Sequence, residues 1–98
     1  MKLYFLEKLF DINYRMATHE GDANRRLASE AVKIILLPSD EVPCSYRKEF
    51  LKLRKLAEDT VRDLSSPGLT PIRIKGIRNR TAVKYIKLLI NIEESLRD

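Results

Sequence analysis

The chain has 98 residues, 44% hydrophobic and 34% charged, with 19 basic and 14 acidic side chains for a net charge of +5. That length supports one core without staples, and that composition excludes a disordered or disulfide-dense chain. A single cysteine, Cys44, and a single histidine, His19, exclude an internal disulfide and a structural zinc set.

In chain order, four segments carry the helical period. The first spans Lys2 to Met16, where Leu3, Phe5, Leu6, Leu9, Phe10, Ile12 and Met16 cover about half the circumference at ~100° per residue. A stripe so broad serves two neighbours, or one neighbour and another chain. The start is apolar behind Lys2, but Glu7, Lys8 and Asp11 interrupt it, so neither a signal peptide nor a membrane span is expected.

The second segment spans Asp22 to Leu37. Asp22 suits the N-cap, since its carboxylate can accept from first-turn amides. Leu27, Ala28, Ala31, Val32, Ile34 and Ile35 share one face, and Pro38 ends the segment. Its β-branched end, Val32 to Leu37, also admits a strand. The third segment spans Ser45 to Leu64, with Tyr46, Phe50, Leu53, Leu56, Ala57, Thr60, Val61 and Leu64 as its stripe and Leu51 off to one side. Ser65-Ser66-Pro67-Gly68 should stop it.

Residues 70–77 alternate apolar and basic side chains between Pro71 and Gly76, which predicts extended backbone, an arm or one short strand; with no obvious strand partner, the arm is favoured, its isoleucines inward and its cations outward. The last helix spans Asn79 to Leu96. Its apolar residues leave a thin polar strip of Lys84, Lys87, Asn91, Glu94 and Ser95, which predicts the most buried helix, at the centre. The expected fold is all-α: an irregular antiparallel four-helix bundle with an extended basic arm between helices 3 and 4, in a single domain spanning 1–98.

Charge is unevenly placed. The 29 residues from Leu64 to Ile92 hold six cations, Arg73, Lys75, Arg78, Arg80, Lys84 and Lys87, and no acid; the remaining 69 residues sum to −1. Clustered cations attract polyanions. Arg78 and Arg80 also stand at the start of a helix, where the macrodipole disfavours them. Two explanations compete: an anion binds there, or a neighbouring helix supplies acids. Packed antiparallel, the third helix would bring Glu58, Asp59 and Asp63 to Arg78 and Arg80, and Arg47 and Lys48 to Glu93 and Glu94.

Gly76, Ile77, Thr81 and Ala82, within Ile74 to Ala82, sit at matching places of a known hairpin, and this stretch resembles part of the helix-hairpin-helix motif of non-specific DNA-binding proteins. The resemblance implies that backbone amides near Gly76 hold a DNA phosphate. Arg78 replaces the motif's second glycine, and Pro67 and Pro71 interrupt its first helix. A helix-turn-helix in the second and third segments is disfavoured by the long, proline-bounded connection.

Chemistry is thinly represented. His19 beside Glu20 lies in a polar connection, and Cys44 stands near a helix start. No acid, base or nucleophile spacing matches a catalytic motif, and no glycine-rich phosphate loop occurs. The expectation is a small non-enzymatic interaction or regulatory protein of the cytoplasm, without cofactor or metal, that self-associates or binds an acidic protein partner. The aromatic first helix supplies the candidate self-association face: Tyr4, Phe5, Leu9, Phe10 and Ile12. The alternative is nucleic-acid binding through Arg73, Lys75, Arg78, Arg80, Lys84 and Lys87. No stacking aromatic stands beside those cations, so backbone contact is favoured over single-strand recognition.

Overall fold

The computed structural model describes residues 2–64 and 70–97, which form helices, turns and bends with no strand among them. Five α-helices follow in order: α1 (Lys2–Thr18), α2 (Ala23–Ser29), α3 (Ala31–Ile35), α4 (Cys44–Arg62) and α5 (Asn79–Arg97). A 3-10 turn, Ser39–Glu41, precedes α4. The expected stop at 65–68 lies outside the described residues.

Local chemistry sets most boundaries. The Thr18 hydroxyl donates back to the Tyr14 and Arg15 carbonyls, at 3.1 and 3.3 Å, serving acceptors that the end of α1 leaves open. Gly21 follows at φ 115, a left-handed value that suits glycine. Asp22 then caps α2 as expected, its side chain accepting from the Arg25 amide at 2.9 Å. Arg47 ties the connection before α4 by donating to the Asp40 and Val42 carbonyls.

The helix expected over 22–37 is two helices, so the four expected elements become five. The break falls at Glu30, with φ −107 and ψ 9. There the carboxylate is buried and accepts from Arg15 Nε at 2.9 Å, while the Ser29 hydroxyl donates to the Arg26 carbonyl. The strand alternative for 32–37 is overturned: α3 is helical to Ile35, with Ile34 and Leu37 both in the core.

One apolar cluster draws on every helix. It joins Phe5, Leu9, Ile12 and Met16 of α1 to Leu27, Ala28, Ala31 and Ile34 of α2 and α3. Phe50, Leu53 and Ala57 of α4 and Ala82, Leu89 and Ile92 of α5 complete it, with Leu37, Val42 and Ile74 from connections. The Cα radius of gyration is 12.6 Å, what close packing predicts for about 100 residues.

Helix α5 departs from its forecast. It touches α1, α2 and α4, which makes it central. Yet only Ala82, Leu89 and Ile92 are buried, while Val83 and Ile90 are 39% and 40% exposed. The short α2 covers only part of that broad apolar stripe.

Candidate functional site

The basic segment is anchored, not free-standing. Asn24, 1% exposed in α2, accepts from the Ile74 amide and donates to the Ile74 and Ile77 carbonyls at 3.3 and 3.1 Å. Its own amide donates to Asn79 Oδ1 at 3.0 Å. Thr60 of α4 accepts from the Lys75 amide at 2.9 Å. Residues 70–78 therefore run as bends and turns held by side chains, because no strand among the described residues lies alongside to accept their amides. Ile74 packs into the core and Ile77 is half-buried, as expected of inward isoleucines, but Ile72 is 70% exposed.

Two of the six candidate cations are answered locally. Arg73 meets Asp22 at 3.1 Å, and Lys75 pairs with Asp63. Asp22 also accepts from Asn79 at 3.2 Å. The Arg25 amide, and then the Arg73 guanidinium, hold the Asp22 carboxyl below the usual carboxylate range. The Lys75 ammonium does the same for Asp63. Arg78, Arg80, Lys84 and Lys87 are exposed, and their side chains make no hydrogen bond or ion pair among the described residues.

The acids expected to answer Arg78 and Arg80 are engaged elsewhere or apart. Asp59 pairs with Lys55 and Arg62 on its own helix, and Asp63 with Lys75. At the other end of α5, Glu93 takes Arg97 at 2.6 Å and Asn13 at 2.8 Å. Arg47 is spent on backbone carbonyls. The acid brought to the start of α5 is Asp22, through Asn79, while Arg78 and Arg80 have no ion-pair partner among the described residues.

Residues 70–75, where the hairpin resemblance calls for its first helix, are not helical, and the stretch before them lies outside the described residues. Gly76 has the left-handed φ of 84 that a tight turn needs, and a Cβ there would meet nothing within 4 Å. It is a turn glycine ahead of α5.

On α1 the candidate self-association set divides. Phe5, Leu9 and Ile12 are at most 1% exposed and belong to the chain's own core, so they offer no face to a second chain. Tyr4 and Phe10 are 57% and 46% exposed. Leu3 and Tyr14, which the sequence reading left out of that set, are more exposed still. Leu3, Phe10 and Tyr14 fall on one line of the helix, at i, i+7 and i+11. The Phe10 and Tyr14 rings stack with centroids 6.3 Å apart, and the Arg97 guanidinium lies 5.5 Å from the Phe10 ring centre.

A further feature went unread in the sequence. Val83, Ile86 and Ile90 of α5 line a shallow hollow with Gly21, Ala23 and Arg26, bordered by Lys87. The signal was present as an apolar stripe on α5 wider than its neighbours could cover. A second hollow joins Leu51, Leu56 and Tyr85 to Lys48, Lys52 and Lys55. There Lys52 and Lys55 already pair with Glu49 and Asp59, at 3.2 and 3.5 Å. Burial raises the Tyr85 phenol pKa, and the Glu49 carboxylate adds to the rise.

His19 Nδ1 is buried without a hydrogen-bond partner, and Cys44 is exposed at the first position of α4. No helix among the described residues is long and apolar enough to cross a membrane. Compared with family models, curated proteins and solved structures, the chain matches none.

Proposed function

We propose that this chain is a small non-enzymatic interaction protein of the cytoplasm that self-associates through α1. The observation that carries the reading is the line of Leu3, Phe10 and Tyr14, exposed on a helix whose opposite side is fully committed to the core. Large apolar side chains grouped on a surface mark contact sites, and aromatic residues are enriched at them. The single cysteine fits a reducing compartment. Light scattering across a concentration series tests the reading. The expected mass is about twice the 11.4 kDa of one chain, and Phe10→Glu should return the monomer with its helicity intact. A monomer at every concentration would count against self-association.

A second reading, phosphate contact, is favoured by the absence of acidic partners at Arg78, Arg80, Lys84 and Lys87 among the described residues. Anisotropy with labelled duplex DNA tests it. Four phosphate contacts predict a log–log salt slope near −3.6, about two decades of affinity between ~50 and ~200 mM salt. No binding at low salt would leave those cations to a protein.

A further inference from the structure

We propose that the outer face of α5, with the start of α2, is a docking groove for an acidic amphipathic helix. The proposal deepens the interaction-protein reading on a face other than the α1 line, so a strictly monomeric chain would leave it standing.

Three observations carry it. The apolar floor, Val83, Ile86 and Ile90, has the i, i+3, i+7 spacing that a partner helix meets with its own apolar stripe. The facing wall carries Ala23, whose small side chain lets a second backbone approach, beside the Gly21 backbone. The rim is cationic: Lys87 and Arg26 border the hollow, and Arg80 and Lys84 fall within about 60° of Lys87 around α5. Arg26 spends its Nε hydrogen on the Gly21 carbonyl at 2.9 Å and meets no carboxylate among the described residues. The one acid on the groove, Asp22, is already taken by Arg73, Asn79 and the Arg25 amide.

Charge and shape together select the occupant. A phosphate backbone would satisfy the rim but leave Val83 and Ile90 uncovered, and interfaces with nucleic acid are the more polar and charged kind. A neutral apolar helix would fill the floor but leave the cations unanswered. A helix with an apolar stripe flanked by Asp and Glu satisfies both. Complementary charge would speed its encounter and fix its register, while the apolar contact would hold it.

The test uses the full chain and a fluorescein-labelled amphipathic peptide of about four helical turns, with leucines at i, i+3 or i+4 and i+7 and glutamates between. A lysine-for-glutamate version of the peptide is the control. The acidic peptide should bind saturably, and the basic one should not. Ile90→Asp should weaken binding at least ~10-fold. Lys84→Glu with Lys87→Glu, both at exposed positions, should do the same with far-UV circular dichroism unchanged. That pair also decides the matter if Ile90→Asp perturbs the fold. No saturable binding at ~1 mM protein would overturn the proposal, since even a weak specific contact shows there. So would binding that duplex DNA displaces and Ile90→Asp leaves intact, which would make the face a polyanion site. Loss of a dimer on Ile90→Asp, with no peptide bound, would assign the face to a second copy instead.

Discussion

Asn24 shows how one side chain can stand in for a missing strand. It accepts from Ile74 and donates to Ile74 and Ile77, so the segment before α5 keeps its polar groups satisfied inside the protein. Asn24→Ala would leave the buried Ile74 amide without an acceptor and should cost about 2 kcal/mol, read as a lower urea midpoint. Asp22 and Asp63 act at the surface of the same segment. Their carboxyls titrate below the usual range when folded, because the Arg25 amide with Arg73, and Lys75, favour the charged form. Their contribution is present above the unfolded pKa near 4 and lost as pH falls through the lower folded values. Melting temperature should therefore fall between about pH 5 and pH 2, and the Asp22→Asn, Asp63→Asn double variant should show a shallower slope over that window. An unchanged slope would mean other carboxylates carry the acid sensitivity.

At the scale of elements, the break between α2 and α3 and the two-sided character of α1 and α5 matter most. Glu30 is nearly buried, with its side chain 6% exposed, and Arg15 is its ion-pair partner at 39% exposed. Removing one partner strands the other: Arg15→Leu leaves a carboxylate in an apolar setting and should cost about 1–3 kcal/mol. Adding Glu30→Leu should recover part of that loss, because the desolvated charge goes with its partner. A double-mutant cycle with no coupling would show that the pair does not hold the junction. Helix α4 needs no such device. Phe50, Leu53, Ala57 and Thr60 are buried from one stripe, and the periodicity identified it.

At the scale of the molecule, the core cluster runs through all five helices without interruption. Unfolding should therefore be cooperative: far-UV circular dichroism and tyrosine fluorescence should give coincident urea transitions. Separate midpoints would mean that α1, which carries two of the four tyrosines, detaches before the rest. The charge asymmetry also resolves at this scale. The 29-residue basic stretch divides into a part neutralised by Asp22 and Asp63 and a part at and along α5 that is unpaired among the described residues. Acids that are distant in the chain make that division, so linear charge counting could not see it.

The sequence by itself determined the all-helical class, the α1, α4 and α5 spans to within two residues, the Asp22 cap and the clustering of cations. These follow from local rules, the 3.6-residue period, capping chemistry and proline stops, which neighbouring residues in the chain satisfy alone. The tertiary structure decided the rest. The helix break at Glu30 coincides with contact to an arginine 15 positions away. The course of residues 70–78 depends on Asn24 and Thr60, 50 and 15 positions distant from Ile74 and Lys75. Which part of a broad apolar stripe is covered depends on which helices are long enough to lie over it. Phe5 thus became core and Phe10 surface, and Val83 and Ile90 were left open beside exposed lysines.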